Sequence, residues 1–83
     1  MDKTNSFFIV RLNGNYNAFA YTKIRFAIGY YDAVECAKEL IAKSRLKMTD
    51  ATSRLQLFTI EDTKLKPILS IADFINDVMK RST

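Results

Sequence analysis

The chain has 83 residues, 48% of them hydrophobic and 27% charged, so it can pack one domain and is too apolar for a disordered tail. Thirteen Lys and Arg against nine Asp and Glu give a net charge of +4, which excludes the acidic surface of a DNA mimic and only mildly favours anionic partners. The single cysteine excludes an internal disulfide, and no apolar run approaches the roughly 20 residues of a membrane span. No secretory signal opens the chain, so we expect a cytoplasmic protein without a membrane partner.

The first predicted elements are the two strands of a β-hairpin, Phe7 to Leu12 and Ala18 to Ile24. Almost every residue of the first run is apolar or β-branched, and alternation of apolar and polar residues marks the second. A cluster of turn-forming residues between Asn13 and Asn17 separates the two runs. The pattern therefore predicts antiparallel pairing of these strands.

The register of this hairpin decides which side chains share a face. A five-residue loop brings aromatic and basic side chains together on one face, and the predicted partner-binding set is Phe7, Ile9, Arg11, Phe19, Tyr21, Lys23 and Arg25. In this register three cross-strand pairs lie on that face: Arg11 with Phe19, Ile9 with Tyr21, and Phe7 with Lys23. A shorter turn at Asn13 and Gly14 is the alternative, and an odd change of register would regroup every pair.

The pattern becomes helical after Gly29. Asp32 begins a predicted helix that runs to Ser44, and Glu35 three residues later would complete a capping box. The apolar residues of this helix form one stripe, which consists of Tyr30, Val34, Ala37 and Ile41 with Ala33 and Leu40 beside it. The mixed polar stretch from Arg45 to Thr52 predicts a loop.

The second half of the chain predicts a third strand from Arg54 to Ile60, a turn at residues 61–63, and a short fourth strand from Leu65 to Leu69. Because Pro67 has no N–H to donate, the fourth strand belongs at an edge of the sheet. An apolar stripe then predicts a final helix from Ser70 to about Arg81.

The element order ββα(ββ)α predicts an α+β fold, a small antiparallel sheet of three to four strands with two helices packed on one face. If the first helix carries the chain across the sheet, the third strand pairs with the first and the spatial order is 4-3-1-2. The opposite face would then be covered only by its own side chains, a second subunit or a partner. We expect one compact domain over residues 1–83, with residues 1–5 and 82–83 flexible.

The residues needed for common catalytic chemistry are missing. The sequence has no His, so a Ser-His or Cys-His nucleophile pair cannot be built. Gly14 and Gly29 are its only glycines, which excludes a phosphate-cradling loop. Cys36 is best interpreted as a small hydrophobic residue at a helix edge, and Glu61 and Asp62 as turn residues. We therefore predict a non-enzymatic protein with no catalytic residues, no metal site and no cofactor.

The predicted aromatic and basic face is typical of a surface that binds a macromolecule. Aromatic and Arg side chains are effective anchors of protein interfaces, so the expected partner is a protein, and a homodimer is the self-complementary case. The alternative is single-stranded RNA or DNA, with aromatic rings as stacking platforms and basic side chains against phosphates. In size and lack of catalytic groups the chain also resembles small accessory or inhibitor proteins of phages and mobile elements, a resemblance that no motif carries.

Overall fold

A computed structural model describes residues 7–14 and 22–80 of the chain. Within these residues the elements are β1 (Phe7–Leu12), β2 (Lys23–Ile28), α1 (Tyr30–Ser44), α2 (Met48–Ser53), β3 (Leu55–Glu61), β4 (Lys64–Pro67) and α3 (Ala72–Met79). The four strands form one antiparallel sheet in the order β2-β1-β3-β4. The predicted α+β class and the predicted strand order are therefore confirmed.

The second strand lies later in the sequence than predicted. β2 begins at Lys23 rather than Ala18, and its pairs with β1 include Leu12 with Lys23, Ile9 with Phe26 and Phe7 with Ile28. The pairs predicted for a five-residue loop are therefore wrong, and residues 13–22 connect the strands. The sequence before Lys23 alternates as a strand would, but the segment that pairs with β1 is the later one, Lys23–Ile28, which ends directly before Gly29. Residues 15–21 lie outside the described residues.

The hydrophobic core lies between the sheet and the helices. Val10 and Leu12 of β1, Ala27 of β2, and Leu55 and Leu57 of β3 are buried on the helix side of the sheet. Against them pack residues from all three described helices: Ala33, Val34, Cys36, Ala37, Leu40 and Ile41 of α1, Ala51 of α2, and Phe74 and Val78 of α3. We call this side of the sheet the helix-covered face, and it confirms the prediction that the helices pack on one face.

The start of α1 differs from the predicted capping box. The helix begins at Tyr30, directly after Gly29, whose φ of 90° and ψ of 160° turn the chain out of β2. This conformation is open to glycine and costly for residues with a Cβ. Asp32 lies inside the first turn, and its carboxylate Oδ2 accepts the backbone N–H of Ile28 at 3.0 Å. The Asp32 side chain therefore ties the helix to the end of β2.

Three further features differ from the sequence pattern. The predicted loop after α1 contains the short helix α2, because Ala51 and Thr52 are buried against the core and local packing outweighs weak helix propensity. β3 and β4 are joined by a two-residue turn at Asp62 and Thr63, both with positive φ, as type I′ hairpin turns require. The last described helix, α3, begins at Ala72, two residues after the predicted start.

Candidate functional site

The sheet side away from the helices, which we call the open face, is formed by alternate residues of the four strands. Its members follow from the strand register, because neighbours along a strand point to opposite faces and Val10 and Leu12 lie on the helix-covered face. They are Phe7, Ile9 and Arg11 of β1; Ile24, Phe26 and Ile28 of β2; Gln56, Phe58 and Ile60 of β3; and Leu65 and Pro67 of β4.

The open face is a contiguous apolar surface. Phe7, Ile24, Phe26, Ile28 and Leu65 are 41%, 58%, 53%, 57% and 56% exposed, although each is a large apolar side chain. The rings of Phe7 and Phe26 stack across β1 and β2 with centroids 5.6 Å apart and planes inclined by 20°. Because contiguous exposed apolar patches of this kind mark binding surfaces on soluble proteins, the open face is the candidate functional site.

Three rows of side chains run across the strands of the open face. The row nearest the connection of β1 to β2, called the polar row, holds Ile24, Arg11 and Gln56. The middle row holds Phe26, Ile9, Phe58 and Pro67, and the far row holds Ile28, Phe7, Ile60 and Leu65. The face therefore has two apolar rows and one row with polar groups. The Nε of Arg11 is buried and has no hydrogen-bond partner among the described residues.

Hydrogen bonds hold the chain at the polar end of the sheet. The Asn13 Nδ2 donates to Gln56 Oε1 at 3.2 Å, and the Asn13 backbone N–H donates to the carbonyl of Arg54 at 3.0 Å. The Arg54 guanidinium donates to the carbonyl of Gly14 at 2.8 Å and to Asp50 Oδ1 at 3.2 Å. The side chain of Gln56 is thereby held by a neighbouring strand end and presents a defined amide to solvent.

β2 reverses the arrangement expected of a sheet in an isolated domain. Its first four residues, Lys23 to Phe26, alternate between basic and apolar side chains, yet Ile24, Phe26 and Ile28 point away from the helices. The basic residues Lys23 and Arg25 lie on the helix side, at the margin of the sheet. A strand that served only the monomer core would place these two sets the other way round.

Arg25 is engaged on the helix side of the sheet. Its guanidinium Nη1 donates to Glu39 Oε1 of α1 at 2.8 Å, and this hydrogen bond raises the pKa of Arg25. Both side chains remain well exposed, at 41% and 53%. Because exposed ion pairs contribute little to stability, the contact mainly orients Arg25 toward the helix.

The structure divides the predicted binding set. Phe7, Ile9 and Arg11 lie together on the open face, whereas the placement of Lys23 and Arg25 on the same face is wrong. The physical reason is the register: Phe7 pairs with Ile28 instead of the predicted Lys23, a shift of five positions, and any odd shift exchanges the two faces of a strand. The remaining predicted residues, Phe19 and Tyr21, lie outside the described residues.

The sequence prediction missed most of the apolar members of the open face. Ile24, Phe26 and Ile28 alternate directly before Gly29, and this alternation was the signal that could have located them. Phe58 and Ile60 belong to a strand that was predicted, but their face could be assigned only once the pairing of β3 with β1 was known.

Both edges of the sheet are protected against pairing with another strand. At the β2 edge, Asp32 accepts the backbone N–H of Ile28, and the thiol of Cys36 approaches the carbonyl oxygen of Phe26 at 4.0 Å. At the β4 edge the strand is only four residues long and contains Pro67 and two lysines. Short edge strands, Pro and Lys are known devices against edge-to-edge pairing. Among residues 7–14 and 22–80, in contrast, none protects the open face in this way.

Cys36 and Tyr30 are the titratable groups of α1 whose pKa values burial raises. Burial raises the pKa of the Cys36 thiol, helped by the nearby Asp32 carboxylate, as suits an inert buried side chain. Burial, together with a hydrogen bond donated to Asp77 of α3, raises the pKa of Tyr30 to about 12. The same hydrogen bond lowers the pKa of Asp77. These shifts favour a neutral thiol and a neutral phenol, and neither group is activated as a nucleophile.

Residues 7–14 and 22–80 offer neither a metal-binding cluster nor a membrane-spanning helix. In that part of the chain no three His, Cys, Asp or Glu side chains gather where they could hold a metal ion. None of the helices there is long and apolar enough to cross a bilayer. Neither a protein-family model, nor a curated protein, nor a solved structure matches this chain.

Proposed function

We propose that this chain is a small, non-enzymatic interaction domain that binds an apolar surface of a protein through its open face. The orientation of β2 carries the proposal. Ile24, Phe26 and Ile28 are each more than half exposed, while the basic residues of the same strand, Lys23 and Arg25, lie on the helix side. Exposing these side chains to water gives the isolated chain no stability, whereas a bound partner that covers them would gain the free energy of their burial.

A protein partner suits the chemistry of the open face better than a nucleic acid does. Among the described residues of that face Arg11 is the only basic one, and binding to a phosphate backbone requires several. Lys23 and Arg25 lie on the other side of the sheet, and Arg25 donates to Glu39. The aliphatic residues beside Phe7 and Phe26 also lack the flat π-faces on which bases stack.

The size of the surface sets the affinity to expect. From the exposed fractions of its large apolar residues, we estimate about 500–600 Å² of apolar area on the open face. Burying that area would contribute roughly 12–15 kcal/mol, against about 4–15 kcal/mol lost in association. The gain exceeds the cost by at most about 11 kcal/mol, and a micromolar dissociation constant corresponds to a net gain of about 8 kcal/mol. We therefore expect binding in the micromolar range, with the stacked Phe7 and Phe26 as the main anchors.

Two matched substitutions test the proposal. Phe26→Glu places a carboxylate in the middle row of the open face, whereas Tyr31→Glu places one on α1 at a side chain that is 86% exposed. The tagged wild type and both variants are used to capture proteins from nuclease-treated lysate of the source cells, and the captured proteins are quantified by mass spectrometry.

We expect one protein, either untagged copies of the chain or another polypeptide, to be captured by the wild type and by Tyr31→Glu. Capture by Phe26→Glu should fall at least about tenfold, because burying an unpaired carboxylate costs more than 1.4 kcal/mol. Circular dichroism checks that both variants remain folded. Equal capture by all three chains, or capture that nuclease abolishes, would contradict the proposal.

A further inference from the structure

We infer that the partner of the open face is the open face of a second copy of this chain, in a twofold-symmetric dimer of two stacked sheets. This inference rests on the proposed function and adds the identity of the partner. Four observations carry it: the protected sheet edges, the area of the face, its charge, and the order of its rows.

The protected edges leave stacking as the way in which the sheet can associate. An added strand would need free backbone groups along β2 or β4, but Asp32 accepts the N–H of Ile28 and Pro67 lies in the short β4. The open face has no comparable obstacle among its described residues. A second flat sheet that packs about 10 Å away is the standard way to cover such a face.

The area of the open face fits a small dimer. Two faces of about 500–600 Å² bury about 1,000–1,200 Å² together, which is above the roughly 1,000 Å² that a biological interface needs and is the size of a weak, reversible dimer. The charge also fits, since Arg11 is the one charged residue among the described members of the face. A strongly charged partner would find no complementary group there, whereas an identical apolar face is complementary to itself.

The order of the rows selects one dyad. When two sheets face one another, the twofold axis lies in the plane between them. An axis parallel to the strands and midway between β1 and β3 places β1 over β3 of the second copy, and β2 over its β4. Each row then lies over the same row, which brings Ile9 over Phe58 and Ile28 over Leu65 of the second copy. The polar row lies on the polar row.

This arrangement also resolves the position of Arg11. With the axis between β1 and β3, Arg11 lies over Gln56 of the second copy, and an amide oxygen of Gln56 can accept from a guanidinium while it also accepts from Asn13. An axis across the strands would instead place the polar row on the far row and bury Arg11 against apolar side chains. Because an unpaired buried charge costs several kcal/mol, the axis parallel to the strands is favoured.

The test uses charges at two exposed positions that only this dyad brings together. Ile28 and Leu65 are 57% and 56% exposed, so Ile28→Lys and Leu65→Glu should leave the monomer folded. In either variant alone, two charges face apolar residues across the dimer. In a mixed dimer, one Lys lies over one Glu and the other contact keeps the wild-type Ile28 and Leu65 pair.

Sedimentation equilibrium from about 1 µM to 500 µM measures the dimer dissociation constants. We expect dimers of the 9.6 kDa wild-type chain, dissociation constants raised at least about tenfold in each variant, and a return to within about threefold of the wild-type value in the equimolar mixture. Ile28→Lys mixed with Ile28→Glu is the matched control and should not recover, since these positions lie at opposite margins of the dimer.

Three results would overturn the inference: a wild-type chain that stays monomeric throughout, no recovery in the first mixture, or equal recovery in the control mixture. A monomeric wild type that still captures a different protein, with capture lost in Phe26→Glu and kept in Tyr31→Glu, rejects the homodimer and leaves the proposed function standing. A monomeric wild type without that difference rejects both.

Discussion

The two faces of the sheet both carry many apolar residues, but the helices bury one face and leave the other exposed. β1 gives Val10 and Leu12 to the helix-covered face, where they are buried, and Phe7 and Ile9 to the open face. Of the four phenylalanines in the strands, Phe8 packs against the core, while Phe7, Phe26 and Phe58 lie on the side without helices. Apolar composition alone therefore does not identify a core, since the helices cover only one of two apolar faces.

The difference separates stability from binding. Removing side chains from the helix-covered face should weaken folding, because it opens cavities in a packed interior. Removing side chains from the open face should spare the monomer and weaken association. Substitutions on the two faces, at the junction of β2 and α1, and between α1 and α3 test this separation, and their expected effects decrease in that order.

The largest effect is expected from a pair of truncations on opposite faces. Leu57→Ala removes a side chain that is only 4% exposed and should lower the free energy of unfolding by about 3 kcal/mol. Ile28→Ala, at a position that is 57% exposed, should lower it by less than about 0.5 kcal/mol in the monomer. Urea unfolding at a concentration well below the dimer dissociation constant, where the chain is monomeric, measures both. Equal losses would remove the distinction between the faces.

A smaller loss is expected at the junction of β2 and α1. Gly29 has a φ of 90°, and a Cβ built there meets no heavy atom within 4 Å. Gly29→Ala should therefore cost about 1–3 kcal/mol through backbone strain alone. The urea midpoint should fall without a change in slope. D-alanine at this position, introduced by chemical synthesis, tolerates positive φ and should keep wild-type stability, and a loss equal to that of L-alanine would show that strain is not the cause.

The smallest effect concerns the Tyr30–Asp77 hydrogen bond between α1 and α3, on the helix side of the molecule. The pKa of Tyr30 rises from 10.0 to about 12 in the folded state, so its neutral phenol contributes stability that is present below pH 10 and lost as the pH rises toward 12. The pKa of Asp77 is lowered, so its contribution is present above the unfolded pKa near 3.8 and is lost in acid.

Tyr30→Phe should therefore reduce the loss of unfolding free energy between pH 10 and 12. It should also reduce the loss of unfolding free energy in acid, because Asp77 no longer accepts a hydrogen bond from residue 30. Urea midpoints across the pH range measure the change. Tyr31→Phe leaves the Tyr30–Asp77 bond in place and should follow the wild-type curve. A Tyr30→Phe curve parallel to that of the wild type would mean that this bond is not formed in solution.

Much of the fold could be predicted because its signals are periodic. The apolar stripe of α1 predicted five of its six buried residues, but it missed Cys36 and included Tyr30, which is exposed. The first strand has the predicted bounds, Phe7–Leu12. The strand order followed from connection rules that depend on element order and not on exact boundaries. The helix α2 was missed because its six residues have weak helix propensity, and only burial of Ala51 and Thr52 explains it.

The candidate site was harder to predict because it depends on register. Phe7, Ile9 and Arg11 share one face of a single strand, so no pairing information was needed to group them. Lys23 and Arg25 were assigned to that face from the predicted loop length, which two alternating segments of sequence left ambiguous. The resulting register was wrong by an odd number of residues, which placed both side chains on the wrong face. An odd error in strand register thus matters little for the fold class, but it decides which side chains form the binding surface.

Isoleucine methyl groups offer the most direct test of the open face as the binding surface. Ile24 and Ile28 lie on that face, while Ile41 is buried beneath the helices and serves as an internal reference of the same residue type. Methyl NMR spectra of the chain are recorded on dilution and on addition of any captured partner. We predict that the Ile24 and Ile28 methyl signals shift with association and that the Ile41 signal does not. Association that leaves the Ile24 and Ile28 signals unchanged would contradict the account.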